Sequence, residues 1–450
     1  MSEAPPLLAI IGGGFSGTCL ALQALAAMPE RPVVMFEPAN PGLGLAYATP
    51  DPRHLLNVPA GSMSLFPDQP ADFTDWLATQ PDAPPSPAEG GPVFAPRCLY
   101  GRYLRDRLAE AGSGLTHRDE AVTALLPRPG GGFVLQTATG EHLASHVALA
   151  VGGFAVAEPA TPPFFGNPWD PAAVQNLDPE APVLLVGLGL TAVDMLLSLR
   201  GQGHRGPVLG ISRHGWAPLA HRPGAPPPAW PVPLEQGPGP LAALRIVRAE
   251  LAKALPSGVP WQAVLDGVRP HVQRLWRGWS VAEKRRVLRH LRAAWAVHRH
   301  RVAPEIGAFL AAERDAGRFE VMPGRLADWH PEDQGAEVVI RRRGGGEERR
   351  QVARIIRCVG PDGASSWRGS EPVAGMLRSG LLAEDAVGLG LRAEADGQLL
   401  SATGEAVPGL VAIGPLTRGL LWEVTAVPEI RAQVAAALAR PLSSFRFQFN

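Results

Sequence analysis

The chain opens on a short apolar run at residues 7–11 that reads as a buried strand, followed by a cluster of glycines and an alanine- and leucine-rich helix over 18–27. Residues 32–36 predict the next strand. Strand, tight turn, helix, strand is how a doubly wound sheet begins. The pattern recurs about 175 residues later, where a strand at 183–186 runs into Gly187, a helix starts near Thr191, and a further strand covers 208–212. Two copies mean two nucleotide sites or one site and a divergent duplicate. Between them lie a proline-rich polar loop at 81–92, an amphipathic helix over 100–111 with arginines outward, and a short strand at 147–151 that ends in two glycines.

Beyond the second copy the alternation breaks. Residues 222–240 hold eight prolines, and the long helical stretch over about 241–312 reads as an insertion. Residues 337–343 and 349–356, joined through the glycines at 344–346, predict a hairpin whose arginines form a solvated face. A strand at 410–413 ends at Gly414, and a helix follows Glu423. Phe445, Phe447 and Phe449 alternate like a strand that pairs with the body or with a partner chain.

The glycine spacings carry the first chemistry. In GGGFSG, Gly12 permits the tight turn, Gly14 lets backbone approach a pyrophosphate, and Gly17 lets helix and strand pack closely. Phe15 and Ser16 then open a helix whose N-terminus faces the phosphates. Glu37 ends the next strand about twenty residues on, where it can accept from both ribose hydroxyls. This combination points to FAD. In VGLGLTAVD, Gly187 and Gly189 take the same roles, Ala192 replaces the third glycine, and Leu190 and Thr191 open the helix. The following strand ends in SRHG where an acid would read NAD. Ser212 and Arg213 there suit a 2′-phosphate and hence NADPH; otherwise Arg213 stacks on an adenine or faces solvent.

The expected fold class is therefore α/β, with two Rossmann-like dinucleotide-binding domains and a helical insertion. FAD falls to residues 1–178 and 356–450, and NAD(P) to 179–355, which contain the insertion at about 240–312. A chain of 450 residues is long enough for such domains. Lys+Arg and Asp+Glu both count 42, which points away from nucleic acid and an anionic membrane surface and leaves a small-molecule substrate as the partner. The start has no basic segment before its apolar run, and no run is long enough for a membrane span, so a cytoplasmic protein is expected. Cys19, Cys98 and Cys358 lie far apart, which excludes a disulfide framework and a CxxC redox pair; no metal site is assigned.

With two such turns and LAVGG between them, the chain resembles two-domain flavoproteins such as flavin-containing monooxygenases and ornithine N-hydroxylases over most of its length. It more closely resembles a bacterial FAD/NAD(P)-binding family in GLAYATPDPRHLLNVPAGSMSLFPDQP, VGLGLTAVD, HRHR and GPLTRGLLWEVTAVPEIR. In flavin-containing monooxygenases an N-x-P, Met, F-P-D segment lies against the flavin. Asn57, Pro59, Met63 and Phe66, Pro67, Asp68 match it with one residue inserted. The resemblance implies that Asn57 sits by the isoalloxazine as a donor to a flavin peroxide or to the nicotinamide; the alternative is an asparagine capping a loop turn. The FxGxxxH segment is present in Phe164 and Gly166 but has Asp170 in place of His. Arg97, Tyr100, Gly101 and Tyr103 resemble a helix start placed against FAD, or else the tyrosines pack that helix on the sheet. Gly152 and Gly414 fall where related flavoproteins bring backbone to the flavin. Trp422 and Glu423 either line the site or, for Trp422, belong to the core. In HRHR, His298 to Arg301, at most two side chains share a target, whether a phosphate, a carboxylate or solvent.

Electrons that enter from NADPH must leave, and without a cysteine pair the acceptor is another protein, a quinone or oxygen. No charged patch or membrane-seeking segment favours the first two. The expected activity is that of an NADPH-dependent monooxygenase forming a flavin hydroperoxide that hydroxylates an amine nitrogen or a soft sulfur. A flavin reductase for a protein or small acceptor is the enzymatic alternative, and a non-catalytic FAD/NADPH-binding module the other.

Overall fold

The computed structural model describes residues 7–87, 90–152, 161–359, 365–368 and 371–439. The phenylalanines at 445, 447 and 449, and the second glycine of the pair at 152–153, lie outside them. Strand Leu8–Ile11 is buried along its whole length because parallel neighbours flank it on both sides, Val33–Phe36 and His146–Leu149. Leu115–Arg118 extends one side, and Ala406–Ala412 followed by Gln398–Leu400 the other, giving a six-stranded sheet that is parallel except at its last pair. Helix Phe15–Ala27 starts three residues before its apolar pattern does, since Gly14 is the N-cap and Ser16 and Gly17 are small enough to lie against the strand ends. It packs with Val427–Ala439 on one face of the sheet, over Ile10, Met35 and Tyr100. A three-stranded antiparallel sheet, Ala124–Pro127, Phe133–Gln136 and Glu141–Ala144, joins the core of the other face through Phe133 and Leu135.

The second sheet has seven strands. Val183–Val186 and Val208–Ser212 pair in parallel as their apolar runs suggested, with helix Leu190–Gly201 on one face. Phe319–Glu332 continues the sheet, parallel to Val208–Ser212 at its start and antiparallel to Gly335–Arg342 further on. The turn at 344–346 is where the sequence placed it, but the expected strand at 349–356 is divided. Glu347–Val352 stays on one edge, while Arg354–Arg357 crosses to the other side of the sheet, between Val183–Val186 and the edge strand Phe164–Phe165. Only Ile355 and Ile356 of that strand are fully buried, one on each face, and two apolar residues are too short a run to mark the break. The sheet thus takes in residues on both sides of the domain boundaries drawn from sequence. Arg341 and Arg349 on the hairpin pair with Glu347 and Glu337 across the strands, forming an exposed charged face.

The insertion fills the crossover between Val208–Ser212 and Phe319–Glu332. Its helices are Pro240–Ala254, Trp261–Val268, Val272–Gly278, Val281–His290, Arg292–Arg299 and Pro304–Asp315. They have a core of their own, in which Val232 and Leu234 of the proline-rich segment meet Val264, Val268 and Leu275. Ser280 and Glu283 close a reciprocal cap at one helix start.

Candidate active site

At the first turn Gly12 has φ of +101°, and a Cβ there would lie 2.9 Å from the Ala150 carbonyl carbon. A Cβ on Gly17 would stand 1.9 Å from the Gly12 oxygen. Both positions therefore require glycine. The helix begins at Phe15 with no capping side chain and no acid in its first turn, which leaves its N–H groups and positive dipole end to an external anion. Glu37 lies over the turn, accepting from Gly13 N at 2.8 Å. From the far side Gly414, at φ +82°, comes so close to Ser16 that a Cβ would overlap its hydroxyl, and Gly152 faces Pro415. Gly414 N donates to Gln433 Oε1 at 2.8 Å, and the Thr417 hydroxyl donates to Gly414 O at 2.9 Å. Neither Gln433 nor Thr417 was singled out from sequence; the one hint was a glutamine within the alanine-rich last helix. The bare helix end, the glycine cradle and the acid at its lip fit an FAD.

The second turn repeats the plan. Gly187 has φ of +106° with a would-be Cβ 2.8 Å from Cys358 O, while Gly189 faces open space and Leu190 starts an uncapped helix. The Ser212 hydroxyl accepts from Gly215 N at 3.1 Å, and Arg213 is exposed beside it. Arg343, from the hairpin, donates to His214 Nδ1 at 2.9 Å, and His214 stacks on Trp216. Burial, then Arg343 and Arg213, hold His214 below its ordinary pKa. Two guanidinium groups thus bear on one imidazole at the end of the strand.

Asn57 lies against the helix that opens at the second turn. It lines one cleft with Leu190 and Val193 of that helix, and with Arg97 and Asp194. Its carbonyl accepts from His221 at 3.2 Å, and its carboxamide has no hydrogen bond among the described residues. The segment that carries it is fixed to the second domain: His54 bonds Ser198 Oγ at 2.9 Å, and Arg97 pairs with Asp194 at 2.8 Å with both side chains largely buried. Arg97, expected against FAD, thus gives its guanidinium to the helix behind the second turn. Tyr100 donates to Met63 O at 2.8 Å and Tyr103 accepts from Leu65 N, so these tyrosines hold the Met63 loop from inside the core.

Trp422 is 8% exposed and packs, tilted by 30°, against Trp276 of the insertion at 4.6 Å between centroids. Glu423, held at φ +69°, accepts from the Trp295 indole and pairs with Arg299 at 3.2 Å. Arg301 pairs with Asp266 and is buried. The HRHR arginines are therefore engaged inside the protein, neither on a solvated face nor open to a ligand. Their acids, Glu423 and Asp266, lie far along the chain, so the run HRHR by itself does not show the pairing.

Burial, with Arg301 next, pushes His221 down to about 4. A folded pKa below the free value near 6.5 means the stabilisation is complete above about pH 6.5 and is lost as pH falls towards 4, by up to about 3 kcal/mol. The melting temperature is expected to fall between pH 7.5 and 5.0, and His221→Gln to flatten part of that fall; an unchanged slope in the variant counts against it.

The two turns and their sheets define a flavoprotein with two dinucleotide-binding domains. Residues 9–154 match a family described as FAD-NAD(P)-binding. Over 252 residues the chain is 29% identical to an L-aspartate N-monooxygenase (nitrosuccinate-forming) of Streptomyces cremeus, a stretch covering 43% of this chain and only 37% of that protein. Its fold is shared with the ornithine N-hydroxylase of Kutzneria sp. 744, at TM-score 0.62 and 14% identity over 97% of this chain and 98% of the other. The L-lysine 6-monooxygenase of Pseudomonas syringae aligns at TM-score 0.61 and 14% identity, over 96% and 98%. At these identities the structural likeness concerns the fold. No helix among the described residues is long and apolar enough to cross a membrane.

Proposed function

We propose that the chain is an NADPH-dependent FAD monooxygenase that adds oxygen to an amine nitrogen of a small substrate. The observation that carries this is the position of Asn57, in a cleft shared with the start of the second glycine helix. Support comes from the relative of Streptomyces cremeus, named for N-oxygenation of L-aspartate. FAD, when bound, supplies the two-electron and oxygen chemistry. The chain's own residues bind and orient. Glu37 takes the ribose hydroxyls at the first turn, and the bare helix ends at Gly14 and Gly189 take the pyrophosphates. Asn57, in the cleft at the second helix start, would offer its amide to the reacting groups. The insertion, fastened through Trp276, Trp422 and Glu423, keeps water from that region.

The test is NADPH oxidation with a panel of amino acids and amines under labelled oxygen, reading product mass and peroxide together. Product carrying one labelled oxygen atom is expected; peroxide alone with every amine sinks the reading. Asn57→Ala is expected to lower product by roughly 100-fold and to divert NADPH electrons to peroxide. For the cofactor, Arg213 and Arg343 are assigned to the 2′-phosphate. Arg343→Ala is expected to weaken NADP⁺ at least roughly tenfold and leave NAD⁺ within about twofold. Equal losses for both nucleotides, measured by fluorescence titration, remove that assignment.

A further inference from the structure

Asn57 sits on a length of chain that is bonded on either side of it. Leu56 N donates to Ala95 O and Ala60 N to Val93 O, both at 2.8 Å, so the segment at 93–95 holds the residues before and after Asn57. Pro59, between them, has no N–H to give. The Asn57 carbonyl takes its hydrogen bond from elsewhere, the His221 ring, at 3.2 Å. Since a carbonyl only accepts, Nε2 of His221 carries the proton. The same ring lies on Phe94, with centroids 4.9 Å apart and planes tilted by 42°. Phe94 is buried, and it stands between the two residues whose carbonyls hold the Asn57 segment.

His221 is itself fixed from the end of the insertion. Its backbone N–H donates to Val302 O at 2.8 Å, Val302 N to Leu219 O at 2.9 Å, and Leu219 N to Val297 O at 3.2 Å, and Ala220 pairs in parallel with Val302. Behind this segment a Cβ on Gly307 would lie 2.5 Å from Ala220 Cβ, so helix Pro304–Asp315 rests directly on it. Val302, Ala303 and Ile306 of the same stretch line the cleft that Asn57 lines. Burial keeps the imidazole neutral, so a single tautomer, protonated at Nε2, is presented to Asn57. A hydrogen bond from a ring held by its own backbone and by Phe94 fixes the peptide plane between Asn57 and Val58, and so limits where the Asn57 side chain can point.

We propose that His221 is a positioning residue: its bond to the Asn57 carbonyl keeps Asn57 set in the cleft and so holds back the release of peroxide that competes with oxygen transfer. This rests on the N-oxygenation reading and deepens it. Both courses consume NADPH, a proton and O2 and form NADP⁺; one places an oxygen atom on the amine and leaves the other as water, while the competing one gives H2O2. Which is taken turns on how closely Asn57 is held, since a displacement of about 1 Å can change a rate by about 100-fold. His221 does not line the cleft itself, so it acts through Asn57.

The test compares the FAD-loaded full chain with His221→Phe, which keeps a ring on Phe94 and removes the donor, and with His221→Gln, which keeps an N–H near the place of Nε2. Two quantities are read: hydrogen exchange of the peptide covering 55–60, by mass spectrometry, and the rate at which NADPH and air alone yield peroxide. His221→Phe is expected to speed exchange in that peptide at least roughly tenfold. It is also expected to raise peroxide release at least roughly tenfold, with His221→Gln within about twofold of the parent in both readings. Asn57→Ala should raise peroxide release to a similar extent, and adding His221→Phe to it should change the rate by no more than about twofold. His221→Leu replaces the phenylalanine variant if that one does not load FAD. Equal effects of the Phe and Gln variants, unchanged exchange at 55–60, or additive effects in the double variant overturn the proposal. If Asn57→Ala releases peroxide and His221→Phe does not, the positioning role alone fails. If exchange responds as expected but Asn57→Ala leaves peroxide release unchanged, the N-oxygenation reading fails at Asn57 while the hold of His221 on that residue stands.

Discussion

Gly17→Ala is expected to give a chain that no longer retains FAD. The added carbon would stand 1.9 Å from the Gly12 oxygen, which is backbone and cannot swing aside as a flexible side chain would. Helix and strand must then separate, and the N–H groups at the helix start leave the place where a pyrophosphate is held. Overpacking of this kind costs about 1–3 kcal/mol of stability, but the larger effect is on the ligand, with FAD affinity falling at least roughly 100-fold as the anion site comes apart. Flavin absorbance after gel filtration checks this directly. Gly189→Ala, where a Cβ meets nothing within 4 Å, is the matched control and is expected to keep its FAD. Full flavin content in Gly17→Ala removes the first turn from the FAD assignment.

Arg97→Leu is expected to be strongly destabilising. It leaves Asp194, whose side chain is 5% exposed, with a buried charge and no cation, at a cost of about 3–5 kcal/mol near neutral pH. The pH dependence has a definite sign. Burial already pushes the Asp194 carboxyl above its ordinary value, with Arg97 opposing. Without Arg97 it is held higher still, so the variant is penalised as pH rises through that folded value and recovers as pH falls and the acid is protonated. Urea unfolding at pH 7.5 and 5.0 should show a deficit that shrinks at the lower pH. Arg97→Leu with Asp194→Leu should be more stable at pH 7.5 than Arg97→Leu alone, since two apolar side chains replace an orphaned charge. A deficit independent of pH contradicts this.

The features legible in the sequence are those whose cause is local. A glycine forced by a tight turn sits at a fixed distance from the strand before it, and an acid at the end of the next strand follows at a near-constant interval; hence Gly12, Gly17, Glu37 and Gly187 stand out in one dimension. The insertion is visible because prolines and helical periodicity interrupt an alternating pattern. Phe164–Phe165 is too short to have a period, and so is the buried pair within Arg354–Arg357. The polar groups that shape the site are hidden for a different reason. Gln433 and Thr417 matter because they meet at Gly414. Likewise Trp422 and Arg97 turn towards the insertion and the second domain because their partners, Trp276 and Asp194, approach from distant parts of the chain.

The contacts of Glu423 reach beyond the site. This residue is held in a left-handed backbone conformation that costs a non-glycine residue about 1–3 kcal/mol, and it keeps that conformation while binding Trp295 and Arg299 of the insertion. The helices that fill the crossover are therefore not a detachable cap. Cutting them away would strip Glu423 and Glu429 of their arginines and release the segment behind Gly414, so a trimmed chain that kept both dinucleotide folds would still lose the flavin side of its own pocket. Helical crossovers of this kind act as keystones: shortening one by engineering reshapes the cofactor site before it opens a route to it.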